Sequence, residues 1–476
     1  MADNKPHIVI VGGGFTGTAV AIHLAQARHP GWRITLLEPR DTPGGGVAYS
    51  TGNPVHRINV PAQRMQLAGR PEGDFDRWYR QQPAFTEDQE ALRPDGAVYP
   101  QRGQFGEYMR QQFAAARAAS GSALVHLQQR ALDWDNGTII TEDGTRLAAD
   151  LVILAVSHPP PALPSPLVSL ADHPALIANP WGDDIARIPP QASITIMGTG
   201  LTMADVAASL ARAGHRGPVL AFSRHGLVSQ PNAPGTDQRW MGDYTRGSLR
   251  QQLRHIREDV ALAARFQHPW QRVLDTVRQQ GQVFWQQLSQ ADRQRFLRHV
   301  RRYWDIHRYR IAPQVAGALD AMQAQGTLRI AAARLSGACP QGHRLGLQLL
   351  PRSGEPGTHL TDYLILTTGP AHGKLIASQP FLHALARQGL IREDPLGLGL
   401  DTDPLSRART REGVSQPGLL VAGPAARGQF GELMGLPQVA DHAALLAHQA
   451  GETLRQHTGW RELKPDNNGL SDYLTI

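Results

Sequence analysis

Apolar residues gather in short runs along the chain, and two of these runs end in glycine-rich turns. Residues 7–11 run into the turn GGGFTG at residues 12–17. Residues 193–197 run into GTGLTMAD at residues 198–205. Continuous apolar runs are typical of strands buried on both faces, and the small residues after each turn favour a helix. The pattern therefore predicts two strand-turn-helix units, roughly a domain apart.

Further apolar runs extend both units into domains. Buried strands are predicted at residues 122–127, 151–156, 219–222, 363–370 and 418–424. Asp150 and Asp362 each come directly before one of these strands, which indicates an internal repeat. The predicted fold class is α/β, with two interleaved Rossmann-like dinucleotide-binding domains and a helical insertion.

The order of the runs predicts the domain bounds. The first domain comprises residues 1–185 and 371–476, and the second comprises residues 190–235 and 326–370. Between the two parts of the second domain, residues 236–325 form an insertion of long helices rich in Arg, Gln and Trp. We expect this insertion to select substrate or act as a lid, although its composition equally fits solvated helix faces over an ordinary core.

The two glycine turns predict two dinucleotide sites. A helix that opens at such a turn directs its N-terminal amides and positive dipole at a pyrophosphate, and glycine lets the phosphate approach the backbone. The candidate residues at these turns are Gly12, Gly14, Phe15, Thr16, Gly17, Gly198, Gly200, Leu201 and Thr202. Two dinucleotides on one chain indicate a flavin that is reduced by a nicotinamide.

The residue that ends the next strand distinguishes the two sites. Glu38 follows the first turn by about twenty residues, where a carboxylate accepts hydrogen bonds from an adenosine ribose, which suits FAD. In the second unit Ser223 and Arg224 occupy this place, and a guanidinium suits the 2′-phosphate of NADPH, with NADH as the alternative cofactor. Both residues also have an interpretation without a cofactor. Glu38 would then be a solvated charge at the end of a strand, and Arg224 would be a surface cation.

Composition narrows the function classes. The chain has 476 residues and a formal charge of +7, carried mostly by arginine, with no lysine-rich tail or RNA-binding aromatic pattern. We therefore expect no nucleic-acid partner. The single cysteine excludes a dithiol reductase, and the histidines show no metal-ligand spacing, so no metal site is expected. No run resembles a leader or a membrane span, which favours a cytoplasmic protein with no membrane partner, and the oligomeric state stays open.

Several motifs carry a resemblance to a known family. They are GGGVAYS at 44–50, NPVHRINVPA at 53–62, GTGLTMAD at 198–205, YWDIHR at 303–308 and GP at 423–424. On these residues the chain resembles the bacterial FAD/NAD(P)-binding proteins, a family that includes a flavin-dependent urate hydroxylase. More distantly it is similar to N-hydroxylating and Baeyer–Villiger flavin monooxygenases, including YPQR at 99–102.

The resemblance implies further cofactor contacts and also has limits. It implies that FAD is contacted by Val47, Ala48, Asn59, Arg102, Gly423 and Pro424. The helix that opens at Leu436 and Pro437 is expected to stabilise the reduced, partly anionic ring through its N-terminus. Proteins of this plan place an aspartate after the last strand to bind the ribityl chain, whereas Pro424 stands here, so we expect Arg427, Glu432 or backbone amides to replace it. The Baeyer–Villiger fingerprint is also missing, which disfavours ketone oxidation.

The chemistry that follows is an FAD-dependent, NAD(P)H-consuming monooxygenation of a small molecule by molecular oxygen, through a flavin hydroperoxide. The protein supplies position and a dry pocket, so no triad is needed. We expect Asn59, His307 and Arg308 to form the catalytic pocket, with a turn residue and solvated side chains as the alternative. A reductase that passes electrons to a small acceptor and a non-catalytic flavin-binding module remain the other function classes.

Overall fold

The computed structural model describes residues 5–27, 31–121, 123–156, 159, 161–234 and 239–458. The strands are β1 (His7–Val11), β2 (Arg33–Leu37), β3 (Leu124–Leu127), β4 (Ala131–Asp135), β5 (Thr138–Thr141), β6 (Arg146–Ala148), β7 (Leu151–Leu154), β8 (Leu176–Ile177), β9 (Ile194–Met197), β10 (Val219–Ser223), β11 (Leu328–Gln341), β12 (Arg344–Pro351), β13 (Gly357–Thr361), β14 (Tyr363–Leu366), β15 (Arg407–Arg409) and β16 (Ser415–Val421). The helices are α1 (Phe15–Gln26), α2 (Asp74–Arg80), α3 (Pro83–Glu87), α4 (Arg102–Ala119), α5 (Leu201–Arg212), α6 (Leu249–Arg265), α7 (Trp270–Gln287), α8 (Gln290–Arg295), α9 (Arg301–Arg308), α10 (Pro313–Ala324), α11 (Leu375–Ser378), α12 (Pro380–Arg387), α13 (Arg427–Phe430) and α14 (Gln438–Thr458).

The first sheet has the order β15-β16-β7-β1-β2-β3. Its strands β16, β7, β1, β2 and β3 are parallel. One face packs against α1, α4 and α14, and the other packs against the small antiparallel sheet β4-β5-β6 and α12. Both faces of β1 are therefore covered, which explains why its sequence is apolar throughout.

The second sheet has the order β13-β12-β11-β10-β9-β14-β8. Strands β9, β10 and β14 and the start of β11 pair in parallel, and α5 and α10 cover one face. Strand β8 pairs with β14 and so lies in the second sheet, although the predicted first domain runs to residue 185 and includes this strand. Helix α10 packs on α5, although the predicted insertion runs to residue 325. Residues 1–4, 28–30, 122, 157–158, 160, 235–238 and 459–476 of the predicted domains lie outside the described residues.

The two aspartates of the internal repeat have the same structural role. Asp150 Oδ2 accepts the backbone N–H of His7 at 2.7 Å, and Asp362 Oδ2 accepts that of Ser193 at 2.7 Å. Each carboxylate thus accepts a hydrogen bond from the backbone N–H at the start of the neighbouring parallel strand, where the sheet offers no further carbonyl acceptor. The repeat in the sequence reflects this shared cap.

The insertion is a helical layer made by α6, α7, α8 and α9, with a π-helical turn at Phe296–Val300. Helix α6 begins at a capping box in which Ser248 and Gln251 bond to each other's backbone amides. Helix α7 packs on α13, and Trp285 Nε1 donates to Gly428 O at 2.9 Å. The insertion is therefore joined to the returning segment of the first domain. Within the described part of the chain, no helix combines the length and apolar character needed to cross a bilayer.

His442 is a buried histidine held in its neutral form. Its Nδ1 accepts the backbone N–H of Gly423 at 3.1 Å, and its Nε2 lies 2.9 Å from Ser406 Oγ. Because Nδ1 accepts, the ring proton sits on Nε2, and a second proton would break the bond to Gly423. Burial lowers the pKa of His442 to about 4. The pKa values of His23 and His56 are also lowered to about 4, first by burial and then by the charge of a nearby arginine.

We expect these histidines to set the acid stability of the protein. Unfolded histidine binds a proton near pH 6.5, so their stabilising contribution is complete above that pH and is lost as the pH falls towards 4. Each group lowers the free energy of unfolding by about 1.4 kcal/mol per pH unit within that window. Urea unfolding from pH 8 to pH 4 measures the slope, which should be shallower in His442→Gln. A free energy that stays flat between pH 6 and pH 5 would contradict this account.

Candidate functional site

Three cavities run from the first glycine turn to the helical insertion. The glycine-turn cavity, about 450 Å³, is lined by residues that include Gly12, Gly14, Glu38, Val47 and Leu436. The central cavity, about 240 Å³, lies between the two sheets and is lined by residues that include Ala48, Asn59, Arg102, Asp205 and Arg308. The helical cavity, about 450 Å³, lies beneath the insertion and is lined by residues that include Gly200, Thr202, Trp285, Trp304 and Arg427. Met434 lines all three, so they meet at that side chain.

Most of the predicted cofactor residues line these cavities. In the glycine-turn cavity they are Gly12, Gly14, Phe15, Thr16, Glu38, Val47, Ala48, Pro424 and Leu436. In the central or helical cavity they are Asn59, Arg102, Gly200, Leu201 and Thr202. Those that line none of the three are Gly17, Gly198, Ser223, Arg224, Gly423 and Pro437.

The first glycine turn leaves room for a ligand at one glycine and packs tightly at another. A Cβ on Gly17 would lie 1.9 Å from Gly12 O, so this position allows α1 to approach the turn. A Cβ on Gly14 would meet no protein atom closer than Gly46 Cα at 3.6 Å, and Gly14 has an ordinary φ of −67°. Gly14 thus keeps clear a space at the N-terminus of α1 that suits a pyrophosphate.

Glu38 lies buried at the end of β2, in the glycine-turn cavity. Its Oε2 accepts the backbone N–H of Gly13 at 2.8 Å, and its Oε1 accepts that of Arg40 at 3.0 Å. These bonds fix the carboxylate at the carboxyl edge of the sheet, where a ribose lies in dinucleotide-binding folds. The geometry therefore fits the adenosine end of FAD.

The second turn repeats this arrangement beside the helical cavity. Gly198 has φ +118°, and a Cβ there would meet Thr367 O at 2.6 Å. A Cβ on Gly200 would meet nothing within 4 Å. Ser223 Oγ accepts the backbone N–H of Gly226 at 3.0 Å and the hydroxyl of Thr199 at 2.8 Å, so Ser223 shapes the loop after β10.

Arg224 is exposed at the end of β10, within a group of cations. His225 beside it has its pKa lowered by burial and then by the charges of Arg302, Arg224, Arg352 and Arg334. None of these four arginines forms an ion pair with a carboxylate in the described part of the chain. This unneutralised positive patch, at the strand end where the ribose of a second dinucleotide lies, suits a phosphate.

The central cavity is rich in buried arginine. Arg102 Nη2 lies 2.9 Å from Asp205 Oδ2 and 3.4 Å from Asn59 Oδ1. Arg308 Nε donates to Glu432 Oε2 at 2.8 Å. Arg278 donates to Leu436 O, and burial together with Arg308 lowers its pKa to about 9. Arg102 and Arg308 face the carboxylates of Asp205 and Glu432, whereas Arg278 forms no ion pair among the described residues, so its charge favours an anion such as a reduced flavin ring.

The three predicted catalytic residues do not lie together. Asn59 and Arg308 line the central cavity. His307 lines none of the three cavities: its Nδ1 faces Tyr303 O at 2.7 Å, and its ring packs edge-on against Trp270 at 4.9 Å. Successive residues of a helix point about 100° apart, and α9 directs Arg308 into the central cavity and His307 against Trp270.

Arg427 and Glu432 are the side chains expected to contact the ribityl chain. Arg427 and Glu432 line the helical cavity and neither of the other two. Glu432 is buried, and its oxygens accept from Trp304 Nε1 at 2.9 Å and from Arg308 at 2.8 Å. Its partners come from the insertion, because the segment after β16 turns under α7.

The helical cavity is mostly apolar. Its wall includes Leu253, Phe284, Trp285, Phe296 and Leu297, and the π-helical turn Phe296–Val300 supplies part of it. Such turns often occur at functional sites because they redirect side chains within a helix. Met434 and Arg278 belong to no local motif and reach the site only through long-range packing, so the sequence alone does not mark them. No group of three potential metal ligands gathers in the part of the chain that the structure describes.

Comparison with known proteins gives a family match for the first domain and fold matches for nearly the whole chain. Residues 9–159 match a family model described as FAD-NAD(P)-binding. No curated protein sequence matches the chain significantly.

Solved structures of flavin monooxygenases share the fold over nearly the whole chain. Ornithine hydroxylase from Pseudomonas aeruginosa is 15% identical, covers 94% of this chain and 99% of its own, and has a TM-score of 0.62. Ornithine N-hydroxylase from Kutzneria, solved with reduced FAD, NADP⁺ and L-ornithine, is 13% identical, covers 95% and 100%, and has a TM-score of 0.62. L-lysine 6-monooxygenase from Pseudomonas syringae is 17% identical, covers 95% and 99%, and has a TM-score of 0.61. The chain thus has the two-domain α/β fold of these enzymes, and its first domain matches an FAD-NAD(P)-binding family.

Proposed function

We propose that the protein is an FAD-dependent, NADPH-consuming monooxygenase that hydroxylates a small molecule with molecular oxygen. The observation that carries this proposal is the meeting of the three cavities at Met434, between the two glycine turns. One cavity suits the adenosine and pyrophosphate of FAD, the next suits its ring, and the third is open to both a nicotinamide and a substrate. The shared fold of the amine-hydroxylating enzymes supports the same assignment.

Bound FAD supplies hydride acceptance from NADPH and the activation of oxygen. The chain's residues hold and surround it. Glu38 and the amides at Gly14 fit the ribose and the pyrophosphate, while Arg278 and Arg308 place positive charge in the central cavity. Asn59, held by Arg102, offers a polar contact there. With FAD bound, these charges would favour the reduced, more negative state of its ring.

The helical cavity offers a largely apolar wall to the second half of the reaction. Oxygen activated by a flavin is lost as free peroxide when water has access, so a substrate packed against this wall would favour oxygen transfer over peroxide release. Two substrate classes are candidates. They are the amines on which the structural relatives act and the purines suggested by the resemblance to a family that includes a urate hydroxylase.

FAD binding should depend on Gly14. Because its Cβ has free space in the protein, Gly14→Ala should fold normally yet lose FAD affinity by about tenfold or more, since the methyl group occupies the pyrophosphate position. Flavin absorbance per protein and thermal unfolding measure both properties. Gly357→Ala, whose Cβ would meet nothing within 4 Å, is the control for a glycine-to-alanine change that causes no clash. Full flavin occupancy in Gly14→Ala would remove the assignment of this turn.

Arg224 should select the nicotinamide cofactor. Loss of a charge-assisted contact to the 2′-phosphate in Arg224→Ala should weaken NADPH binding by about 2 kcal/mol and leave NADH unchanged. Steady-state kinetics with each cofactor measures the difference. Arg216→Ala, in the same domain but outside the cation group, is the control. Equal losses for NADPH and NADH would show that Arg224 does not contact the phosphate.

The reaction type is tested by following oxygen. The FAD-loaded protein is tested with panels of amines, amino acids and purines. A substrate should raise the rate of NADPH oxidation and lower the peroxide released per NADPH, and oxygen from labelled dioxygen should enter the product.

Phe284→Ala opens the helical cavity and should raise the peroxide yield, whereas the neighbouring Val283→Ala, outside the cavity, should not. Peroxide equal to the NADPH consumed with every compound, and no label in any product, would replace the monooxygenase with a reductase.

A further inference from the structure

Two arginines and two carboxylates line the helical cavity, and one of the arginines has no ion-pair partner among the described residues. Four of its lining residues carry charge at neutral pH: Arg301, Asp305, Arg427 and Glu432. Arg301 Nε lies 3.3 Å from Asp305 Oδ2, and Glu432 is paired with Arg308 at 2.8 Å. Arg427 is left over.

Arg427 is the first residue of α13, and only 6% of its surface is exposed. Its Nε has no hydrogen-bond partner, and its guanidinium has no carboxylate within ion-pair distance, among the residues that the structure describes. Burial and then the charge of Arg301 lower the pKa of Arg427, against weaker attraction from Asp305 and Asp394. A buried cation without a partner is costly, because water no longer solvates it.

The surroundings of Arg427 indicate a ligand of the helical cavity. Arg427 lines this cavity and neither of the cavities that suit FAD. The same wall carries Phe284, Trp285 and Trp304, which offer broad apolar surface. Both carboxylates of the wall are already paired, so a cationic amine would find none free.

We infer that the helical cavity binds a small organic anion, with a carboxylate or similarly acidic group on Arg427 and an apolar or aromatic body against the tryptophans. This inference deepens the proposed function, on which it rests, by naming the substrate class. Arg427 is then the residue that selects the anion. The anion satisfies the unpaired guanidinium as a charge-assisted hydrogen-bond partner.

The experiment compares three probes of one shape: benzoate, benzamide and benzylamine. Titrations of the FAD-loaded protein at fixed salt are followed by tryptophan fluorescence, since Trp285 and Trp304 line the cavity, and by thermal unfolding. We expect benzoate to bind about tenfold or more tightly than either control and to raise the unfolding temperature. Equal binding of the three probes, or tighter binding of benzylamine, would overturn the inference.

Two arginine variants locate the contact. Arg427→Met should lose benzoate binding by about tenfold or more, and should unfold at a higher temperature than the wild type when no anion is present, because an unpaired buried charge is gone. Arg301→Met, on the same wall but paired with Asp305, should keep most of the benzoate affinity. If Arg427→Met instead weakens NADP⁺ binding and leaves benzoate unchanged, Arg427 serves the dinucleotide and the inference fails. These binding readouts are separate from the fate of oxygen, so anion binding can hold even where the monooxygenase proposal fails.

Discussion

The site depends on a buried ion pair between the two dinucleotide domains. Arg102, at the start of α4, and Asp205, on α5, lie 2.9 Å apart with side chains only 8% and 4% exposed. Arg102 also donates to Arg57 O at 2.8 Å, so its position is fixed from its own domain. Burial raises the pKa of Asp205, and the guanidinium opposes this by favouring the charged form. Separation of the domains would leave each charge without its partner, which is strongly unfavourable unless water replaces it.

Neutral hydrogen bonds complete this contact between the domains. Asn53 Nδ2 donates to Ser209 Oγ at 3.1 Å, and Asn232 Nδ2 donates to Asn59 O at 2.9 Å. Together with the ion pair they hold the N-terminal ends of α4 and α5 beside the central cavity. A flavin ring in that cavity and a nicotinamide at the second glycine turn would then face each other without a large movement of the domains. The two turns act on one site because this seam sets their separation.

Local sequence patterns predicted the α/β fold and its two strand-turn-helix units. The glycine turns, Glu38 and the apolar strands are constrained within a few residues by backbone conformation and burial, so their signal is local. The repeated aspartates Asp150 and Asp362 were also visible, although only the structure shows that each caps a neighbouring strand.

What sequence reasoning could not reach depends on long-range packing. It grouped His307 with Arg308, because a motif does not show which face of a helix is covered. The predicted bounds include β8 in the first domain and α10 in the insertion, whereas β8 pairs with β14 and α10 packs on α5. The sequence of a two-residue strand or of a single helix does not show which element it will pack against. The unpaired state of Arg427 is likewise a property of the assembled cavity, since Asp305 is engaged by Arg301.

The most direct test of the account is whether NADPH reduces a flavin held by this chain. The FAD-loaded protein is mixed with NADPH in the absence of oxygen, and its visible flavin absorbance is followed by stopped flow. The account predicts that the absorbance bleaches in a saturable phase, faster at low concentrations of NADPH than of NADH, since both dinucleotides meet at the central cavity. A protein that holds FAD yet stays oxidised under saturating NADPH would contradict it, because the two glycine turns would then not serve one reaction.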